Sequence, residues 1–253
     1  MYLFDTPLQE GIILKRNSQF TMDVLLNDKI IKCHCPTTGR IGNVDVKNVS
    51  CLISHSENTK RKLPYTVEAI SCDELTVKKK NWIGINQILS NKLVEYFLVT
   101  HQMGNMISQY KEIKREVSLG ISKLDFLVDT TYIEVKTPLT TIHVKYGKNI
   151  RTKSITPFSS TDRFIKHIHE LTGSLKEHER AILLTVYQYQ ITSPKSHQKS
   201  TNYEEVSYVM DKAIQKGVET WCIELSFTPY GVSLVKCENT TPLFREKLNT
   251  LLH

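Results

Sequence analysis

Lys123-Leu124-Asp125-Phe126-Leu127-Val128-Asp129-Thr130-Thr131-Tyr132-Ile133-Glu134-Val135-Lys136-Thr137 is the stretch on which the reading of this chain turns. Leu124 to Val128 and Tyr132 to Lys136 are rich in branched and aromatic residues, as strands are, and Asp129-Thr130 suits the two-residue loop of a hairpin. With Val128 facing Thr131 across that loop, counting back along both arms sets Asp125 opposite Glu134. Directly opposed like charges destabilise a sheet, and a cation between them reverses the sign of that term. Two carboxylates completed by backbone oxygen and water suit Mg²⁺ or Mn²⁺. Lys136 lies two residues beyond Glu134, hence on the same strand face, where its ammonium can orient a water and offset charge on a phosphoryl transition state. Asp, then Glu-x-Lys across a hairpin, is what metal-assisted phosphodiester hydrolysis requires. Glu116, on the strand-like segment Lys114 to Leu119, is placed to add a third carboxylate. The same residues also fit an ordinary exposed strand face, because Glu-x-Lys is a common surface pattern.

Upstream of this hairpin the texture is different. Ile12 to Leu14, Phe20 to Leu26, Lys29 to Cys35, Val49 to Ser54, Tyr65 to Ser71 and Glu74 to Val77 read as short strands. Asn27-Asp28, Pro36-Thr37-Thr38-Gly39 and Cys72-Asp73 punctuate them. Strands in succession without helices between them indicate a small barrel, and an OB-like barrel fits the length. After Trp82 helices join in. Asn86 is placed to cap a helix carrying Ile88, Leu89, Leu93, Tyr96 and Phe97 and ending near Thr100. Thr161 to Leu175 predicts a second helix and Ala181 to Tyr189 a buried strand. A third helix runs from Glu204 to Lys216, closed by Gly217, and Glu219 to Phe227 is an alternating strand. The fold class is therefore α+β: an OB-like domain over residues 1–83, then an α/β domain with a mixed central sheet over 84–253. Gln190 to Asn202 reads as a loose loop, and Phe244 to Leu252 as a segment that packs on a partner or on its own domain.

Composition narrows the function. The 253 residues carry 33 Lys+Arg against 26 Asp+Glu, a net charge of +7, which favours acidic partners such as nucleic acid over basic ones. From Val135 to Thr161 the basic residues Lys136, Lys145, Lys148, Arg151 and Lys153 have no acidic neighbour in sequence. No stretch approaches the roughly 20 apolar residues that span a bilayer, so no membrane partner is expected. Met1 to Glu10 lacks a basic start followed by an apolar run, so cytosol is the expected compartment. The six cysteines form no CxxC pair, and in Lys29 to Cys35 the alternation puts His34 opposite both sulfurs, which reads as buried structural thiols. Aromatic residues make up only 8% of the chain and cluster nowhere with amides and carboxylates, so a sugar-binding site finds no support.

The hairpin pattern resembles the PD-(D/E)xK nuclease core, and the chain as a whole resembles the sugar fermentation stimulation protein A (SfsA) family. The resemblance rests on His34 to Gly39, on Ser56 to Thr66, on Asp125-Phe126 with Ile133-Glu134-Val135-Lys136, and on Arg163 with Lys166-His167. It implies an N-terminal OB-like domain, a nuclease-like C-terminal domain, DNA binding, and a link to regulation of sugar, notably maltose, metabolism. It places Asp125 and Glu134 on the metal, with His167 beside them and Glu116 assisting as its strand position suggests, Lys136 on water or phosphate, and Arg163 and Lys166 on DNA phosphates. Leu124 stands where the motif has proline, which carries no chemistry. Phe158-Ser159 after Pro157, and Phe164 after Arg163, replace an Asp, a small residue and a Gly usual in the family, which puts any contact through that Asp or Gly in doubt.

Two functions stay open: a metal-dependent nuclease, and a DNA-binding regulator that keeps the nuclease fold without cleaving. In either case Asn58, Lys60, Arg61, Lys62 and Tyr65 form a loop of the kind OB folds use, with cations on phosphate and a ring under a base. Replacing Lys60, Arg61 and Lys62 by Ala is expected to weaken DNA binding and to flatten log affinity against log salt by about one unit per lost phosphate contact. An unchanged slope in a salt titration would leave the triplet as plain surface.

Overall fold

The computed structural model describes residues 1–120, 122–154, 161–193 and 200–244. In chain order the strands are β1 (Tyr2–Leu3), β2 (Gln9–Ser18), β3 (Thr21–Leu26), β4 (Lys29–His34), β5 (Val49–His55), β6 (Tyr65–Ser71) and β7 (Ile83–Gly84), followed by helix α1 (Gln87–Val99). Then come β8 (Ile113–Leu119), β9 (Ser122–Val128), β10 (Thr131–Lys136), α2 (Asp162–Ser174), β11 (Arg180–Tyr187), α3 (Tyr203–Gln215), β12 (Glu219–Phe227) and β13 (Gly231–Asn239).

Five strands close a barrel in the order β2-β3-β4-β6-β5, with β5 returning to β2. The closing pair is parallel, Cys33 to Tyr65 and His34 to Thr66. Closure removes the free edge that a five-stranded sheet would otherwise expose. Inward residues Ile13, Met22, Val24, Cys33, Cys51, Ile53 and Val67 fill it. Cys33 and Cys35 are buried while His34 is half-exposed on the opposite face, as the alternation requires. The cysteines are free, and burial pushes the Cys33 thiol up to about 12 and that of Cys72 likewise to about 12, which keeps both protonated and inert.

Glu74 to Val77, expected as a sixth strand, is a turn in which the Val77 N–H donates to the Glu74 carbonyl. The Lys80 ammonium takes the Leu75 and Val77 carbonyls and pairs with Glu10 at 2.9 Å, supplying the partners a neighbouring strand would have given. β1 and β13 carry too weak a pattern to be expected from the sequence. β13 pairs with β12 across a bulge at Glu224/Leu225, which breaks the alternation that would have marked it.

The second sheet is mixed, in the order β1-β13-β12-β11-β10-β9-β8, with parallel pairs β10–β11 and β11–β12. α1 covers one face, packing Leu93, Phe97 and Leu98 on Phe126, Ile133, Val135 and Ile182. α2 and α3 cover the other, packing Ile168, Leu171, Met210 and Ile214 on Leu124, Tyr132 and Leu183. The Asn86 side chain caps α1 by accepting from the Ile88 and Leu89 N–H groups, and Gly217, at φ 107, follows α3.

The sequence reading divides the chain at residue 83; in the structure β7 (Ile83–Gly84) pairs with β6 in the barrel sheet, β1 lies in the second sheet, and both cores draw residues from each side of that position. Leu8, Leu52, Ala69 and Trp82 join the α1 core, and Leu139, Ile142, Tyr187 and Tyr189 join the barrel core. The expected C-terminal packing of Phe244 to Leu252 falls beyond Phe244 outside the described residues, as do 194–199 of the expected loop and Pro157-Phe158-Ser159.

At the seam a Cβ on Gly84 would lie 2.7 Å from the Gln188 Cβ and from the Phe227 ring. Gly84→Ala is expected to destabilise the protein by about 1–3 kcal/mol through overpacking, read as a lower urea midpoint. An unchanged midpoint would mean that the two lobes are not held against each other there.

Candidate metal centre

The β9–β10 hairpin turns on Asp129, at φ 48, whose carboxylate accepts the Lys111 and Glu112 N–H groups and so ties the turn to the entry of β8. Pairing follows the expected register, Val128 to Thr131, Leu127 to Tyr132 and Phe126 to Ile133. The ladder stops there. At the next position the Asp125 side chain takes the place of a backbone partner: its Oδ2 accepts the Val135 N–H at 2.7 Å. Its Oδ1 accepts from Asn91 Nδ2 of α1, also at 2.7 Å. On the other flank β8 skips a rung at the same level, with Arg115 facing Phe126 and Val117 facing Leu124. The residue left unpaired, opposite Asp125, is Glu116, at φ 50, where the backbone turns left-handed without shifting the register.

Glu134 is 1% exposed. Its Oε1 meets Lys136 Nζ at 2.5 Å and His167 Nδ1 of α2, and the lysine and histidine nitrogens are 3.4 Å apart. Its Oε2 is buried and has no hydrogen-bond partner among the described residues. Burial, and then the neighbouring Glu134 charge, raise the Asp125 carboxyl above its ordinary value. The Val135 N–H, Asn91 and Lys136 pull it the other way.

The structure therefore brings together Asp125, Glu134, Lys136 and His167. Glu116 does not join them: it is exposed, on backbone in the left-handed region, and among the described residues no three His, Cys, Asp or Glu side chains form a metal-holding group. Arg163 and Lys166 are exposed on α2, the helix that carries the buried His167. Asn58, Lys60, Arg61 and Lys62 form a separate exposed group on the barrel, in the loop between β5 and β6. Asn58 Oδ1 accepts the Lys60 N–H, Arg61 donates to the Thr66 hydroxyl, and the Tyr65 ring lies 4.9 Å from that of His55.

Asn91 escaped the sequence reading, as did the polar patch next to it. Buried Ser90 accepts from Thr137 and from Gln188 at 2.8 Å, and Gln87 donates to the Thr137 carbonyl. A signal was present: Gln87, Ser90 and Asn91 fall at helical spacing inside an otherwise apolar run, which marks a polar face turned inward.

A divalent cation fits this donor set. Two ionisable carboxylates supply hard oxygen, and the unpartnered Glu134 Oε2 is a buried acceptor whose lack of a partner costs on the order of 1–3 kcal/mol. Asp125 and Glu134 are the residues that would hold the ion.

Comparison with known proteins bears on the whole chain. A family model described as the sugar fermentation stimulation protein RE domain matches residues 88–231, and one described as the SfsA N-terminal OB domain matches residues 14–85. The chain belongs to the SfsA family. Sugar fermentation stimulation protein homologs are 31% identical in Trichodesmium erythraeum, over 89% of this chain and 88% of that one, and 29% identical in Synechococcus sp. (strain JA-3-3Ab), over 91% and 92%. The structure of Pyrococcus furiosus SfsA in complex with Ca²⁺ matches with a TM-score of 0.71 at 19% identity, over 94% of this chain and 97% of that one. This likeness extends the shared fold of the SfsA chains across both lobes.

Glu134→Gln is expected to abolish Mn²⁺ binding in calorimetry while leaving DNA affinity nearly intact, and Asn91→Ala to weaken Mn²⁺ binding by about tenfold. Unchanged binding in either variant would remove that residue from the site. A metal competes with the proton on Asp125, so Mn²⁺ affinity is expected to go on rising with pH above the range, about pH 4, in which ordinary carboxylates have lost their protons. A flat profile would contradict the raised carboxyl.

Proposed function

We propose that this SfsA protein binds DNA and hydrolyses its phosphodiester bonds at the Asp125–Glu134 centre with Mg²⁺ or Mn²⁺. The observation that carries this reading is the buried, unpartnered oxygen of Glu134 beside Asp125, with an ammonium and an imidazole gathered on its other oxygen. Bound there, the ion would polarise the phosphoryl oxygen and lower the pKa of a bound water. The Pyrococcus protein was solved with Ca²⁺, another cation that prefers oxygen ligands, which supports a divalent ion here.

The chain's own residues do the rest. Lys136 offsets charge on the phosphoryl group and orients the attacking water. His167 holds or releases a proton at Nδ1 beside Glu134. Arg163 and Lys166 engage phosphates, and Asn58, Lys60, Arg61, Lys62 and Tyr65 hold the strand on the barrel. The buried, protonated thiols accord with a cytosolic setting, and no helix among the described residues is long and apolar enough to cross a membrane.

One observation favours the second reading, a regulator of sugar-metabolism genes that binds DNA without cutting it. Among the described residues only two carboxylates converge, and Lys136 already neutralises one of them. Incubating labelled single- and double-stranded DNA with Mn²⁺ or Mg²⁺, then with EDTA, and with Lys136→Ala in parallel separates the two. Metal-dependent cleavage lost in the variant is expected. DNA retarded but uncut in every lane would establish the regulator.

A further inference from the structure

A cleft of about 380 Å³ opens on the barrel beside Lys153 of the connection between β10 and α2. Its floor is apolar and buried, made by Ile41, Val44 and Val46. Those residues belong to a strap between β4 and β5 that pairs with the segment leading from β10 toward α2. Val44 bridges Thr152, the Asp45 N–H donates to the Arg151 carbonyl, and the Lys153 N–H donates to the Asn43 carbonyl. Eight of the nine lining residues thus come from the barrel, and Lys153 comes from the connection between β10 and α2 that pairs with the strap.

Its rim is cationic. Lys15, Arg16, Lys47 and Lys153 stand against one carboxylate, Asp45. That carboxylate is already engaged, 3.3 Å from Lys153 Nζ and accepting the Lys47 N–H. Bulges in β2 on either side of Lys15 and Arg16 re-aim these side chains. Asp23 faces Lys15 across the ladder, but it also faces Lys32 on its other side, so its charge is shared. The Arg16 guanidinium donates to the carbonyls of Gly39, Thr37 and Gln19, which fix its plane and leave its charge in place.

We propose that this cleft is a second nucleic-acid contact, taking the phosphodiester backbone of a strand that crosses from the barrel to the nuclease-like lobe. The inference rests on the DNA-binding reading above. The side chains select a polymer over a free phosphate. Arg16, the one cleft residue able to clamp a terminal phosphate with two parallel bonds, has spent its fork on carbonyls, so phosphate meets the point charges of exposed Lys15, Lys47 and Lys153, the last shared with Asp45. Point charges from three separate segments, over an apolar floor that receives sugar, suit a continuous run of diesters. The net charge and the acid-free stretch from Val135 to Thr161, which supplies Lys153, then serve one path across the seam.

The test is a salt titration of a labelled oligonucleotide against the full chain and against Lys15→Ala/Lys47→Ala/Lys153→Ala, with thermal melting and Mn²⁺ calorimetry as controls. The slope of log affinity against log salt is expected to fall by about two to three units, with the melting midpoint and Mn²⁺ binding unchanged. Wild-type binding with an unaltered slope in the variant would overturn the cleft and leave DNA binding at the barrel loop standing. Absence of wild-type binding at every salt concentration would overturn the DNA reading itself, and the cleft with it. If inorganic phosphate or a mononucleotide raises the melting midpoint of the wild type alone while the DNA slopes agree, the cleft is a small-anion site and the proposal fails.

Discussion

The Asp125 carboxylate accepting the Val135 N–H is the interaction on which the rest of the site depends. A buried backbone N–H must find a partner, and in a sheet it ordinarily finds the neighbouring strand. Here β9 withdraws from β10 after Phe126 and offers a side chain instead, so one ionisable group is fixed in the position of a ladder rung. Asn91 takes the other oxygen and ties that rung to α1, whose cap Asn86 is itself held by Glu68 of the barrel. On its far side β10 is locked to β11, Glu134 facing Leu183 and Lys136 facing Thr185. Glu134 and Lys136 are therefore held from both flanks.

This placement sets an electrostatic problem that the neighbouring residues offset in part. Two carboxylates in a desolvated pocket repel, and burying either charge without a partner is expensive. Lys136 and His167 gather on one oxygen of Glu134, and Asp125 responds by holding its proton to higher pH. The second Glu134 oxygen stays unsatisfied, enclosed by protein and without a donor among the described residues. A divalent cation answers the repulsion and the orphaned oxygen together, which neither the lysine nor the histidine does alone.

Much of this was legible in the sequence, and the reasons are local. Alternation and the Asp129-Thr130 loop fix the hairpin register as far as Ile133. The Asn86 cap and Gly217 mark helix ends because their chemistry involves only adjacent turns. The replacement of a backbone rung by the Asp125 side chain left no trace, since it goes with the left-handed backbone at Glu116 opposite and with a helix some 30 residues away in sequence. The same positive φ turns Glu116 out of the set in which strand periodicity had placed it. β1 and β13 were missed because one is two residues long and the other pairs across an irregular register. Closure of the barrel by parallel pairing of β4 with β6 is a long-range event that no local pattern encodes.

Anomalous diffraction from a crystal soaked in Mn²⁺ tests the central claim most directly. The account predicts a peak bound by Asp125 and by the Glu134 oxygen that is unpartnered here, with the Asn91 and Val135 contacts to Asp125 retained. A peak elsewhere, or none at a concentration that saturates calorimetric binding, would contradict it and leave the Lys136 and His167 contacts as a structural ion cluster.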